Sequence, residues 1–168
     1  MKTHHFSWGA GRSMAAAGLL ALVVALTGCA SVKPYSSELP KNLQVVPEID
    51  TGSVLKRVFP EFDVHRVSSK CELQFQGRVL LDEGKVDIGI PTGELMYLEF
   101  IFERDHLISK NMSVIRQGAL LTPRPGYSYV AKVRHFNGLY AVDVQERGRN
   151  GSVRNLERIP LSECKARG

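Results

Sequence analysis

The fold class is decided by residues 127–146, which read YSYVAKVRHFNGLYAVDVQE. Asn137 and Gly138 suit the positive φ angles of a two-residue type I′ turn, and alternating apolar and polar residues flank them on both sides. Apolar residues face apolar ones and opposite charges meet when the strands are paired outward from this turn, so we predict an antiparallel hairpin. The predicted pairs are Phe136 with Leu139, Arg134 with Ala141, Val133 with Val142, Lys132 with Asp143 and Ala131 with Val144.

Stretches upstream of this hairpin also alternate with a period of two and predict further strands. Residues 71–81 place Leu73, Phe75, Val79 and Leu81 on one face, and the turn chemistry of residues 82–84 predicts a hairpin with the apolar positions of residues 86–90. Residues 95–103 (LMYLEFIFE) predict a central strand. Residues 51–64 allow either a short helix or a strand, because Pro60 limits a helix to little more than two turns.

Short strands with turns at roughly ten-residue intervals predict an all-β fold, a small antiparallel β-sandwich spanning residues 51–168. The chain has 168 residues, of which 43% are hydrophobic and 23% are charged. This composition suits one globular domain and excludes a disordered chain or a multi-span membrane protein.

Residues 1–28 have the layout of an export signal. Lys2 and Arg12 precede an uninterrupted apolar run at residues 15–26. Twelve residues span about 18 Å as a helix, which is short of the roughly 30 Å hydrocarbon core of a bilayer. A cleavable signal is therefore a better interpretation than a permanent membrane span.

The end of this signal, Leu26-Thr27-Gly28-Cys29, resembles the lipobox of bacterial lipoproteins. The resemblance implies that diacylglycerol is attached to the sulfur of Cys29, that the signal is cut before this residue, and that the new amine is acylated, which anchors the chain in a membrane. The residues after Cys29 are not Asp, which inner-membrane lipoproteins of the enteric type tend to carry there. This implies the outer membrane, with the domain facing the periplasm. A plain cleavable signal with an incidental cysteine is the alternative.

Residues 29–50 contain three prolines and no sustained periodicity. We therefore predict that they form an extended tether between the lipid and the domain. Val45 and Val46 could still pair with a sheet edge. Residues 90–146 resemble small uncharacterised bacterial lipoproteins with β-sandwich domains, and this resemblance carries no catalytic signature.

Cys71 and Cys164 remain once Cys29 carries lipid. An even pair in an exported protein predicts a disulfide, with Cα atoms within about 7 Å of each other. A redox-active or metal-binding pair is the alternative, but CxxC spacing and neighbouring histidines are missing.

Charge and motifs exclude several classes of function. The net charge of +5 becomes +3 after the predicted signal, with 20 basic against 17 acidic residues, which is too small an excess for a nucleic-acid binder. The sequence has no GxSxG, HExxH or SxxK motif, and the histidines at positions 65, 106 and 135 lack ligand spacing. We therefore expect no catalytic site, cofactor or metal.

The remaining expectation is a domain that binds an envelope protein or an envelope component such as a glycan. Its predicted surface joins one end of the Asn-Gly hairpin to the arginines that follow, where aromatic and guanidinium groups could meet an acidic partner. This surface consists of Arg134, His135, Tyr140, Arg149, Arg154 and Arg158. A solvated face is the alternative for the basic stretch.

Two other functions stay open. The first is an inhibitor of a cell-wall-degrading enzyme, although the Ser-Gly-x-x-Tyr loop of lipid-anchored lysozyme inhibitors is missing from this sequence. The second is an envelope hydrolase, for which the sequence offers no nucleophile constellation.

Overall fold

The computed structural model describes residues 32–50, 56–82, 84–106 and 112–165, which form two packed β-sheets. A 3₁₀ turn, Leu161–Glu163, follows the last strand. The nine strands of these residues are β1 Leu43–Ile49, β2 Lys56–Val67, β3 Leu73–Leu80, β4 Val86–Ile88, β5 Met96–His106, β6 Met112–Leu121, β7 Ser128–Phe136, β8 Leu139–Arg147 and β9 Val153–Leu156.

One sheet has five strands in the order β4-β1-β7-β8-β9, and the other has four in the order β3-β2-β5-β6. Their facing side chains form one hydrophobic cluster, in which Val45, Phe62, Leu98, Phe100 and Ala131 are all 0% exposed. Burying an apolar side chain of this size stabilises a fold by about 1.5–3 kcal/mol, so this shared layer holds the sheets together. The predicted all-β sandwich is confirmed.

The Asn-Gly hairpin has the predicted turn and register. Asn137 and Gly138 have φ angles of 50° and 79°, and all five predicted residue pairs are present. The ion pairs are offset from the register, because Arg134 reaches Asp143 diagonally. Lys132 instead lies 3.8 Å from Glu48 on the neighbouring β1.

The prediction of a tether over residues 29–50 is wrong in its second half. Residues Leu43–Ile49 form β1, which pairs in parallel with β7 and antiparallel with β4. Leu43 and Val45 are 1% and 0% exposed, so their burial outweighs the proline-rich composition of the segment. The predicted signal 1–28 and Cys29 lie outside the described residues.

Residues 33–35 belong to the same compact unit as the two sheets, and this unit begins at Val32. The N–H of Tyr35 donates to the carbonyl of Arg78 at 2.8 Å, and the N–H of Arg78 donates to the carbonyl of Lys33 at 2.9 Å. The hydroxyl of Tyr35 donates to the carbonyl of Gly89 at 2.7 Å. These bonds lay the segment along the edge of β3.

The predicted hairpin between residues 71–81 and 86–90 is wrong. β3 pairs with β2 in the four-stranded sheet, whereas β4 pairs with β1 in the five-stranded sheet. The chain therefore crosses from one sheet to the other after Leu81. β2 offers β3 a much longer partner than the three residues of β4 could, which explains the choice. Residues 56–64, for which the sequence allowed either a helix or a strand, belong to the strand β2.

The predicted shared face of residues 71–81 is interrupted by a bulge. The register of β2 with β3 shifts between Val64 and His65, which leaves an extra residue in β3. Because a bulge moves the following side chains to the other face, Phe75 is 41% exposed while Val79 is 8% exposed.

The predicted disulfide between Cys71 and Cys164 is confirmed, with Cα atoms 6.0 Å apart. It ties the turn before β3 to the segment after the 3₁₀ turn. Within the described ranges, no helix combines the length and the apolar character needed to cross a membrane.

Candidate functional site

β8 loses its neighbouring strand halfway along its length. β9 pairs only with residues 144–147 of β8. Beyond Leu156 the chain turns towards the other sheet, where the N–H of Leu120 donates to the carbonyl of Ile159 at 2.8 Å. In the described part of the chain, residues 139–143 therefore have no strand beside them on the side away from β7.

The hairpin register determines which backbone groups point to this open side. In a two-residue hairpin, Phe136 and Leu139 exchange backbone hydrogen bonds, so odd-numbered residues of β8 bond to β7 and even-numbered ones point away. The backbone N–H and C=O groups of Tyr140 and Val142 thus point to the open edge. The side chain of Gln117 accordingly donates from Nε2 to the carbonyl of Tyr140 at 2.8 Å.

A groove of about 650 Å³ follows this edge. Three cationic side chains, Lys132, Arg134 and Arg158, line it together with one carboxylate, that of Asp143. Its inner wall includes Gln117, whose Oε1 accepts a hydrogen bond from Nη1 of Arg158 at 2.7 Å. Glu48 lies 3.8 Å from Lys132 and Asp143 is paired with Arg134, so two of these cations are offset. Arg158, bonded to the neutral amide of Gln117, leaves the groove with a net positive charge.

The structure brings together three of the predicted surface residues, Arg134, Tyr140 and Arg158, in this groove. Tyr140 contributes through its backbone, because its ring packs edge-on against Phe102 with centroids 4.9 Å apart. The prediction of His135 as a surface residue is wrong. His135 is 4% exposed, since the odd-numbered residues of β7 face the opposite sheet.

The two other predicted arginines lie elsewhere. Nη2 of Arg154 is 3.0 Å from Oε1 of Glu146, and Nε of Arg124 donates to the other carboxylate oxygen, Oε2, at 2.9 Å. The hydrogen bonds from Arg124 lower the pKa of Glu146. Arg149 lies against Gly126, where an added Cβ would be 2.6 Å from its Nε. Arg149 and Arg154 therefore lie near the start of β7 and do not line the groove.

Lys132 and Gln117 line the groove but were not among the predicted surface residues. Lys132 shares the outer face of β7 with Arg134, so the alternation of the strand could have identified it. Gln117 comes from β6 of the other sheet and has no local sequence signal that places it beside Tyr140.

A second cluster lies on the outer face of the four-stranded sheet. Asp63, His65 and Glu99 each offer a potential metal ligand atom, and these atoms lie within 4.8 Å of one another. Arg78 donates to both carboxylate oxygens of Asp63, at 2.6 and 2.9 Å, and Arg116 donates to Glu99 at 2.9 Å. Because the arginines occupy the oxygens that a metal would need, we interpret the cluster as an ion-pair network. Burial lowers the pKa of His65 within it.

No protein family, curated protein or solved structure matches this sequence. The partner of the groove therefore has to be argued from its own chemistry. That chemistry consists of a strand edge with available backbone groups, flanked by cationic side chains.

Proposed function

We propose that this protein is a lipid-anchored lipoprotein of the bacterial outer membrane whose periplasmic β-sandwich binds an acidic envelope protein and catalyses no reaction. The groove beside residues 139–143 carries the proposal. It combines cationic side chains with outward-pointing backbone groups, and both favour an anionic, hydrogen-bonding partner.

The chemistry of the groove favours binding over turnover. Catalysis by a nucleophile needs a base within hydrogen-bond reach of it. Asp143, the carboxylate of the groove, is paired with Arg134. The other polar side chains named there are cations or amides, which suit recognition of charge and hydrogen bonds.

Two features support an exported, anchored protein. The Leu26-Thr27-Gly28-Cys29 sequence supports lipid attachment at Cys29. The bond between Cys71 and Cys164 supports an oxidising compartment such as the periplasm, because disulfides persist there and are rare in the cytosol.

The anchor is tested by fractionating bacteria that express either the unmodified protein or the Cys29→Ala variant. We expect the unmodified protein in the outer-membrane fraction, with a triacylated Cys29 peptide detected by mass spectrometry. The variant should be lost from that fraction. Equal retention of both proteins would contradict lipid anchoring.

The groove is tested by affinity capture from solubilised envelopes with a double variant, Arg134→Ala with Arg158→Ala. The matched control is Arg57→Ala with Arg147→Ala, which removes the same charge from exposed positions outside the groove lining. We expect the groove variant alone to lose the acidic protein that the unmodified chain captures. Equal capture by both variants would discard the groove as the binding site.

A further inference from the structure

We infer that the acidic partner enters the groove as an extended peptide segment and pairs with residues 139–143 of β8 as an added strand. This inference rests on the proposed function, because it specifies how the same groove binds its partner. It names one occupant, a stretch of acidic polypeptide from another protein.

The geometry of the open edge suits the addition of a strand. Residues 139–143 extend over about 17 Å at the usual rise of a strand, which is enough to pair with a strand of ordinary length. The N–H groups of Tyr140 and Val142 point to the edge, as do their carbonyls, at the two-residue spacing that another strand offers in return. An edge of this kind is a template for strand addition.

The edge of β8 lies open where β9 would otherwise continue. β9 ends at Leu156, and the hydrogen bonds of Arg158 to Gln117 and of Leu120 to Ile159 draw the following residues to the other sheet. An added strand would occupy the vacated path. It would displace the side chain of Gln117 from the carbonyl of Tyr140.

A guanidinium group lies on each side of the path of an added strand. Arg134 lies on the outer face opposite the small side chain of Ala141, and its guanidinium reaches past Ala141 to Asp143 of β8. Arg158 lies on the inner side, through its bond to Gln117. A carboxylate on the inner side of the segment would meet Arg158, and one on the outer side would share Arg134 with Asp143. Guanidinium groups bind carboxylates with charge-assisted hydrogen bonds.

The groove fits a peptide better than a glycan. The ring of Tyr140 is packed against Phe102 and offers no open aromatic face to a sugar. What the groove offers instead is backbone hydrogen bonding at strand spacing, which a peptide alone matches over several residues.

The test begins with the purified full chain in detergent and a display library of random nine-residue peptides. We expect selection to enrich acidic peptides rich in strand-forming residues. The best peptide should bind the Arg134→Ala, Arg158→Ala variant roughly tenfold more weakly, while the Arg57→Ala, Arg147→Ala control should bind it as the unmodified chain does. Enrichment of neutral or basic peptides would overturn the inference.

Two N-methylated forms of the selected peptide then test strand pairing itself. One form is methylated at every odd amide and the other at every even amide, so only one of them blocks the groups that face β8. We expect one form to lose roughly tenfold or more in affinity and the other to keep its affinity within about threefold. Equal binding by both forms would overturn strand addition.

Amide hydrogen exchange provides an independent readout. In the free protein, the N–H groups of Tyr140 and Val142 should exchange faster than those of Ala141 and Asp143, which bond to β7. The peptide should slow the exchange of Tyr140 and Val142. Unchanged exchange at both positions would overturn the inference.

The outcomes separate this inference from the proposed function. If capture of an acidic envelope protein depends on Arg134 and Arg158 but no peptide is selected, strand addition fails and the proposed function stands, with a folded acidic surface as the partner. If the purified chain forms a dimer that the groove variant abolishes, the occupant is a second copy of this chain and the inference is overturned. If the arginines have no effect in either assay, both proposals fail.

Discussion

Replacing Gly77 with Ala tests whether residues 33–35 are part of the folded domain. Gly77 has a φ angle of +153° and lies beside this segment. A Cβ at this position would be 2.5 Å from Cα of Tyr35 and 2.6 Å from its backbone nitrogen. Because backbone atoms cannot approach so closely, residues 33–35 would have to leave the edge of β3.

The expected cost follows from the bonds that this displacement breaks. Tyr35 donates to Arg78 and to Gly89, and Arg78 donates to Lys33. At about 1 kcal/mol net for each of three hydrogen bonds, their loss lowers the free energy of unfolding by about 3 kcal/mol. A φ angle of +153° is strongly disfavoured for a residue with a Cβ and adds about 1–3 kcal/mol. We expect a total loss of about 4–6 kcal/mol.

Denaturant unfolding followed by far-ultraviolet circular dichroism measures this loss. The matched control is Gly93→Ala, because Gly93 has a φ angle of +78° and nothing within 4 Å of an added Cβ. It should lose only the backbone contribution of about 1 kcal/mol. Chymotrypsin should also cut after Tyr35, which precedes Ser36, faster in the Gly77 variant. Equal losses in the two variants, with unchanged cleavage, would refute the docking of residues 33–35.

Three further predictions concern stability. Replacing Cys71 and Cys164 with Ser opens a link between residues 93 positions apart and should lower the free energy of unfolding by up to about 4.6 kcal/mol in denaturant titrations; an unchanged midpoint would contradict this. Because burial lowers the pKa of His65 from 6.5, only the unfolded chain takes up this proton as the pH falls below 6.5, so the melting temperature should drop there. His65→Gln should flatten the pH dependence of the melting temperature below pH 6.5, and an unchanged slope in this variant would contradict the role of His65. Glu146→Gln should cost roughly 1–2 kcal/mol at pH 7. Because the pKa of Glu146 is lowered, that difference should shrink as acid protonates the carboxylate of the unmodified protein, and a difference independent of pH would contradict the role of its charge.

The elements predicted correctly are those whose signal is local in sequence. The hairpin around Asn137 and Gly138 carries its turn type and its register within a few residues, and both occur as predicted. β5 is similar, because its alternation puts Met96, Leu98 and Phe100 at 0% exposure in the middle of its sheet. Local alternation is sufficient where a strand is long and one of its faces is wholly buried.

Pairings between distant segments could not be predicted in the same way. β1 pairs in parallel with β7, so Leu43 lies beside Tyr129, and no turn between the two strands indicates this contact in the sequence. Parallel strands need a long connection, and the sequence between them carries no register information. The exchange of β3 and β4 between sheets is the same kind of event, because a turn signal at Asp82 fixes a change of direction and not the identity of the next partner.

The candidate site was predictable only in part because it depends on where β9 ends. The position of Arg134 at the end of the Asn-Gly hairpin and the charge of Arg149, Arg154 and Arg158 led to their prediction, yet of these four arginines Arg134 and Arg158 line the groove. Arg154 lies on the paired part of β9 and reaches Glu146. Arg158 follows the point where the chain leaves β8. The division among these residues is set by pairing and not by composition.

The early end of β9 both leaves the edge of β8 open and lets the C-terminal segment cross to the four-stranded sheet. β8 has nine residues and β9 has four, so half of β8 stays uncovered once the following segment crosses to β6. That crossing is held by the hydrogen bond from Leu120 to Ile159, and the chain beyond it is held by Cys164. A longer β9 would protect the edge as most sandwiches do, but it would carry the chain away from the sheet that Cys164 ties to. In the described part of the chain, the tail that ties to the four-stranded sheet therefore leaves residues 139–143 of β8 without a neighbouring strand, which is the opening that the proposed strand addition requires.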